Sequence, residues 1–169
     1  LLSLAEGNED TAVQNLTAAV RLARDRMKGA QRDRSTWRTH WIRSALQLAA
    51  TLERGESAVE ALEILRPLLN ELDRCEDAVL VMRTRQELGR YLMIQGDLDA
   101  AMDLLQQALR DAEKLGDVAV ASAASGNIGM VFFNHREFDD ALSWFTRTVE
   151  LMRMRGDRAR TALALRSIG

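Results

Sequence analysis

The sequence repeats itself with a spacing of 40 residues, and this period constrains the fold more than any other feature of the chain. A shift of 40 positions places Leu88 and Gly89 on Ile128 and Gly129. It also aligns sets of alanine and aspartate residues: Ala61 with Ala101 and Ala141, and Asp77 with Asp117 and Asp157. Periods of about 20 to 50 residues are typical of proteins that stack one supersecondary unit several times. The sequence therefore predicts a repeat array.

The composition predicts an all-α protein. Of the 169 residues, 47% are hydrophobic and 28% are charged, and Pro67 is the single proline. Alanine, leucine, arginine and glutamate, which favour helices, occur throughout the chain. Apolar residues recur at three- and four-residue spacing, as in Ala12, Leu16, Ala19, Val20 and Ala23, which is the pattern of an amphipathic helix.

Charge and cysteine content exclude several classes of function. A net charge of −2 provides no overall basic field that attracts nucleic acid or an anionic membrane. Cys75 has no partner for an internal disulfide, and His40 and His135 do not have metal-ligand spacing, so we expect no metal and no cofactor. No apolar run reaches the roughly 18 residues of a membrane-spanning helix. We therefore expect a cytoplasmic protein that is not attached to a membrane.

Glycines, caps and apolar spacing predict where the helices begin and end. We expect Gly7 to end a first short helix and Gly29 to end a second, followed by a longer loop near residues 29–34. Ser35 and Ser57 are predicted N-caps, and Pro67 is predicted to bend its helix. Three aspartates at the 40-residue spacing, Asp77, Asp117 and Asp157, are predicted caps. The predicted helices are 1–6, 9–28, 36–53, 57–74, 78–95, 98–115, 118–134, 137–155 and 158–169.

Grouping these helices gives units of approximately 1–34, 35–76, 77–116, 117–156 and a partial 157–169, in a single repeat domain. Aligned by the period, Leu1 and Gly169 both fall inside helices. We therefore expect about four repeats with truncated ends, in a fragment of a longer protein.

Small residues recur where the two helices of each unit are expected to meet. Gly89 and Gly129 stand on the inner helices, and Ala101 and Ala141 stand on the outer helices that follow them. A small residue facing a small residue allows the two backbones to approach closely. Enlarging Gly129 is therefore expected to push two helices apart.

These residues carry a resemblance to the tetratricopeptide repeat family. One unit supplies Leu88, Gly89, Leu92, Gly96, Ala101, Leu105 and Ala108, and the next supplies Ile128, Gly129, Phe132, Ala141 and Phe145. The 40-residue period is similar to a long variant of the repeat found in signalling scaffolds and bacterial regulators. The resemblance implies a right-handed superhelical solenoid of antiparallel helix pairs, whose inner helices line a concave groove.

The residues expected to face this groove lie one helical turn from the packing glycines. They are Arg43, Gln47, Arg83, Gln86, Arg90, Met93, Asn127, Met130, Phe133 and Asn134. Arg43, Arg83 and Arg90 are predicted to form a basic stripe suited to an acidic segment, since arginine offers a forked pair of donors. The alternative is that the arginines belong to an ordinary solvated face. Met130 and Phe133 are either an adaptable apolar floor or core.

The resemblance implies a non-catalytic module that binds a peptide or protein segment in its groove. The alternative is a regulatory segment of a larger signalling or transcription protein that senses a ligand or peptide. Arginines interleaved with Trp37 and Trp41 suggest nucleic-acid contact, but packing is the favoured interpretation of these tryptophans. No phosphate loop and no catalytic triad is present, so we do not expect an enzyme. Terminal helices carrying Leu163, Leu165 and Ile168 are candidates for self-association.

Overall fold

In the computed structural model of the chain, the regular structure of the described residues is entirely helical. The described residues are 2–29, 32–54, 58–154 and 156, with side chains described for 11–29, 32–52, 59–154 and 156. The helices are α1 (Leu2–Gly29), α2 (Arg34–Arg54), α3 (Ala58–Leu65), α4 (Leu69–Leu72), α5 (Ala78–Gln95), α6 (Leu98–Leu115), α7 (Val118–Asn134) and α8 (Phe138–Met154), with a 3-10 turn, Arg66–Leu68, between α3 and α4. The predicted all-α class is confirmed.

The bounds predicted for α5, α6 and α7 are confirmed to the residue, and those of α8 to within one residue. Two of the predicted aspartate caps explain this agreement. Asp117 Oδ1 accepts hydrogen bonds from the backbone N–H groups of Ala119 and Val120 at 3.1 and 3.0 Å. Asp77 Oδ1 accepts one from the N–H of Leu80 at 3.0 Å. Asp157 and the helix predicted after it lie outside the described residues, as does the Ser57 cap.

The predicted helix break at Gly7 is wrong, because α1 continues through Gly7 and Asn8 to Gly29. A glycine inside a helix costs only about 1 kcal/mol relative to alanine. A long helix with good helix formers on both sides of the glycine therefore tolerates it.

The longer loop predicted after Gly29 is also wrong. Only residues 30–33 separate α1 from α2, and α2 begins before Ser35, so Ser35 is not its cap. The helices on either side are long instead: α1 has 28 residues and α2 has 21, whereas α5 and α6 have 18 each.

Pro67 disturbs its helix as predicted. Because proline has no N–H to donate, α3 ends at Leu65 and the 3-10 turn carries the chain into α4. The turn tightens into 3-10 geometry, so the single bent helix predicted over residues 57–74 is interrupted in the structure. Backbone angles at Leu65, Leu68 and Leu69 stay in the right-handed helical region, so the chain bends without reversing direction.

The helices form two compact units, Leu1–Thr84 and Arg85–Gly169, and α5 contributes to both. In unit 1, α1 packs on α2 and α2 packs on α3. The buried residues of this core include Met27, Trp41, Ile42, Ala45, Leu48, Leu65 and Leu68. Arg24 of α1 lies over the ring of Trp41, 5.7 Å from its centroid.

A buried ion pair joins α2 to α4 in unit 1. Arg38, with 8% of its surface exposed, donates from Nε to Glu71 Oε2 at 2.7 Å. Its Nη1 donates to the carbonyl oxygen of Arg74 at 2.8 Å. One guanidinium therefore satisfies a carboxylate and a carbonyl near the end of α4.

Unit 2 is built on the close approach predicted between inner and outer helices. A Cβ atom at Gly89 would lie 2.7 Å from Cγ of Leu105 and 3.2 Å from the carbonyl oxygen of Ala101. A Cβ atom at Gly129 would lie 2.8 Å from Cε1 of Phe145. Around these glycines the buried core includes Leu88, Leu92, Leu105, Ala108, Ile128, Val131, Ala141 and Val149.

Substitutions at two glycines of α7 test this close approach. Alanine at Gly129 or Gly126 gains the same helix propensity, about 1 kcal/mol. At Gly126 the added Cβ would lie 3.6 Å from Cγ2 of Thr148, an ordinary contact. We therefore expect Gly129→Ala to be less stable than Gly126→Ala by about 1–3 kcal/mol, because only the former overpacks the core. Urea unfolding followed by circular dichroism measures the difference, and equal stabilities would contradict the close approach.

Truncation of Arg38 tests the buried ion pair. Arg38→Ala removes the 2.7 Å partner of the largely buried Glu71 carboxylate and leaves it only the longer pair with Arg74 at 3.6 Å, so we expect the free energy of unfolding to fall by about 3 kcal/mol, the lower end of the range for a broken buried pair. The matched control is Arg43→Ala, which removes an exposed pair with Asp77 at 3.5 Å and should cost at most about 1 kcal/mol. If both variants lost the same free energy of unfolding, the buried ion pair would contribute no more to stability than the exposed one.

Candidate functional site

The groove residues predicted in unit 1 are exposed. Arg43 and Gln47 lie one turn apart on α2, and Arg83 lies on the part of α5 that belongs to this unit. Arg43 forms an ion pair with Asp77, with Nη2 and Oδ2 separated by 3.5 Å.

The groove residues predicted in unit 2 differ in exposure. On α7, Met130, Phe133 and Asn134 are exposed and Asn127 is half-buried, as are Arg90 and Met93 on α5. Gln86 has only 7% of its surface exposed, so little of this side chain is available to a ligand.

Arg90, which belongs to unit 2, is held by neighbours on its own helix. Its Nε and Nη2 donate to Glu87 Oε2 at 3.0 and 2.8 Å. Its guanidinium also lies 4.3 Å from the centroid of the Tyr91 ring. Both Arg43 and Arg90 of the predicted basic stripe therefore already face a carboxylate of this chain, which reduces the positive charge that they offer to an acidic ligand.

The tryptophans considered for nucleic-acid stacking take part in packing. Trp41 has 5% of its surface exposed, and Trp37 is half-buried. Arg26 lies 6.0 Å from the centroid of Trp37, and Arg38 is committed to its buried ion pair. This segment is accounted for by packing in unit 1.

An exposed apolar cluster lies where α7 ends and α8 begins. Its members are Met130, Phe133 and Phe138, with exposed fractions of 38%, 49% and 57%. Met130 and Phe133 are three residues apart and share one face of α7. The rings of Phe133 and Phe138 meet edge to face, with centroids 5.6 Å apart. Asn127 and Asn134 stand on the same face of α7 as Met130, which adds amide groups beside the apolar surface.

Phe138 was not among the residues predicted for the site. The period aligns it with Leu98, at the start of an outer helix, and so gave no indication of a binding role. Its ring contact with Phe133 bridges the turn between α7 and α8.

The turn between α7 and α8 contains an arginine in a conformation that favours glycine. Arg136 has a φ of 64°, and Gly96, at the equivalent position 40 residues earlier, has a φ of 86°. The hydrogen bonds are also equivalent: the N–H of Glu137 donates to Phe132 O, and the N–H of Asp97 donates to Leu92 O, each at 3.0 Å. α5 and α7 therefore end with the same left-handed motif. In α7 the residue in this conformation, Arg136, has a side chain, so the conformation is strained.

Within the described residues, no group of three or more His, Cys, Asp or Glu side chains is placed to hold a metal ion. Among the same residues, none of the helices has the length and apolarity that crossing a membrane requires.

Residues 81–115, which cover most of α5 and all of α6, match the sequence model of the tetratricopeptide repeat family. These residues thus have the sequence pattern of one tetratricopeptide repeat. The recognition made from Leu88, Gly89, Ala101 and Leu105 is therefore confirmed, while the long-period variant stays a prediction. Tetratricopeptide repeats generally mediate protein interactions and are generally non-catalytic.

A solved structure extends the similarity in fold along nearly the whole chain. The crystal structure of BtubC (BKLC) from P. vanneervenii is similar to it with a TM-score of 0.67 over 92% of this chain, at 18% sequence identity. The chain spans 62% of the length of that protein. At this identity the similarity is one of fold alone. A comparison with curated protein sequences gives no significant match.

Replacing Arg136 with glycine tests the strain in the turn. Glycine adopts positive φ without a steric penalty, so we expect Arg136→Gly to raise the free energy of unfolding by about 1 kcal/mol. The reciprocal change, Gly96→Ala, places an L side chain at the equivalent position and should lower it by a similar amount. Thermal and urea unfolding of both variants measure these shifts, and a loss of stability in Arg136→Gly would contradict a strained turn.

Proposed function

We propose that the chain is a non-catalytic module that binds a segment of a partner protein on the surface of unit 2 where α7 ends and α8 begins. The apolar cluster of Met130, Phe133 and Phe138 is the anchor of this surface. The observation that carries the proposal is the exposure of two phenylalanines and a methionine in one cluster, within a fold whose repeats mediate protein interactions.

Physical properties of these side chains support an interface. Contiguous exposed apolar groups, rimmed by polar residues, mark sites of protein interaction. Phenylalanine and methionine are enriched in the buried centres of protein interfaces, and methionine adapts its shape to a partner. The edge-to-face contact of Phe133 with Phe138 restrains both rings before a ligand arrives, which lowers the entropy lost on binding.

The flanking asparagines suit an extended or irregular partner segment. An amide side chain offers both a donor and an acceptor, and can therefore satisfy the backbone N–H and C=O groups of a bound chain. Asn127 and Asn134 lie one turn before and one turn after Met130 on α7. Apolar anchoring between two amides would fix both the position and the direction of a ligand.

Selection from an unbiased peptide library, displayed on phage, tests this function with the whole chain as bait. We expect the peptides selected to bind wild type with micromolar dissociation constants and to lose at least about tenfold in affinity on Phe133→Ser, since a central aromatic anchor typically contributes more than about 1.4 kcal/mol. Isothermal titration calorimetry measures each affinity.

The matched control is Leu115→Ser at the end of α6, where the leucine is 47% exposed and Phe133 is 49% exposed. This variant should bind the selected peptides as wild type does. If Phe133→Ser retained full affinity, or if Leu115→Ser lost as much, the apolar cluster would not be the binding site. Circular dichroism confirms that both variants are folded.

A further inference from the structure

The end of unit 2 that carries the apolar cluster is acidic. Six carboxylate side chains are exposed there: Asp97, Asp99 and Asp103 near the start of α6, and Glu137, Asp139 and Asp140 near the start of α8. Only His135 and Arg136 in these two segments oppose them with basic groups. Because the whole chain carries a net charge of only −2, this concentration of negative charge is a local feature.

The path of the chain brings these groups to one end of the unit. α6 packs against α7, and α7 packs against α8. The chain reverses direction between consecutive helices, so the starts of α6 and α8 lie at the end of the unit where α7 finishes. Phe133 is in the last turn of α7, and Phe138 is the first residue of α8. We call the six carboxylates around this end the acidic rim.

None of the six carboxylates of the acidic rim forms an ion pair with a basic group among the described side chains. Glu71, Asp77, Glu87, Asp111 and Glu113 each form an ion pair with an arginine. The positive ends of α6 and α8 favour acidic groups in their first turns, but Asp103 lies beyond the first turn of α6. The rim thus presents negative charge that the fold does not neutralise.

We propose that the partner segment is basic: a large apolar anchor residue that binds the cluster of Met130, Phe133 and Phe138, flanked by lysine or arginine residues that face the acidic rim. This inference rests on the proposed function and adds the charge of the ligand to it. Complementary charge around an apolar anchor speeds association and rejects partners of the wrong sign. A segment with acidic flanks is repelled by the rim, and Arg43 and Arg90 are already paired with carboxylates of this chain.

Three synthetic peptides test the sign of the charge. They share one central Phe-Leu anchor and carry flanks of lysine, glutamine or glutamate, and fluorescence anisotropy measures their binding to the whole chain. We expect the lysine-flanked peptide to bind at least about tenfold more tightly than the glutamate-flanked peptide. This difference in affinity should shrink as the salt concentration rises from about 50 to 300 mM, because salt screens the attraction between the rim carboxylates and the lysines.

Two double variants test whether the lysine-flanked peptide is attracted by the acidic rim itself or by the negative charge of the chain as a whole. Asp139→Asn with Asp140→Asn removes two rim carboxylates, and we expect it to weaken the lysine-flanked peptide by about threefold to tenfold. Glu60→Gln with Glu63→Gln removes two exposed carboxylates from α3 in unit 1. This control should bind the peptide as wild type does, and circular dichroism confirms the folding of both proteins.

The outcomes distinguish this inference from the function on which it rests. Equal affinity for the three peptides, lost in Phe133→Ser, would overturn the basic ligand and leave the interaction module standing. An unchanged affinity of Phe133→Ser for the lysine-flanked peptide would overturn the apolar anchor and with it both proposals. Binding of none of the three peptides, or equal weakening by the two double variants, would overturn the acidic rim as a recognition element.

Discussion

The close approach of inner and outer helices at Gly89 and Gly129 is the constraint on which the rest of unit 2 depends. With carbon atoms of Leu105 and Phe145 less than 3.0 Å from where a Cβ would lie, these positions accept no side chain without movement of the core. The same contact sets how the large residues interlock, because Leu88 and Ile128 are fully buried only when the helices come this close. The register of each pair then fixes which residues of α7 are left on its open face, among them Met130 and Phe133.

Helix ends maintain this register. Asp117 caps α7 through two backbone N–H groups, while Gly96 and Gly116 close α5 and α6 in the left-handed conformation. The α7–α8 turn uses the same geometry with Arg136 instead of glycine, and so keeps a strained residue beside the exposed phenylalanines. Strain of this kind persists only where surrounding structure holds it. Here the hydrogen bonds from the N–H groups of Arg136 and Glu137 to the last turn of α7 hold it, at 3.0 Å each.

The sequence predicted the helices well where local chemistry decides their bounds and poorly where it does not. Asp77, Asp117, Gly96 and Gly116 act within one turn of the chain, so the bounds of α5, α6 and α7 could be read from them. Gly7 is a glycine too, but α1 passes through it, so the residue type alone does not decide where a helix ends. At the site, the period placed Met130 and Phe133 on the face of α7 where they are exposed. It could not reveal the ion pairs of Arg43 and Arg90, or the ring contact of Phe138, because these depend on side-chain conformations that no spacing specifies.

The distribution of ion pairs gives the surface its chemical character. Arginine is long enough to reach a carboxylate on a neighbouring helix, and Arg38, Arg43, Arg85 and Arg147 all do so. Each such pair removes a cation from the surface available to partners, so a basic stripe read from the sequence is weakened by the fold that forms around it. The aspartates at the starts of α6 and α8 form no ion pair with a described arginine, in contrast to Asp77 before α5, which pairs with Arg43. A partner that meets unit 2 at the end of α7 encounters apolar rings surrounded by uncompensated negative charge, and that combination favours a basic ligand over the acidic one that the predicted stripe of Arg43, Arg83 and Arg90 suggested.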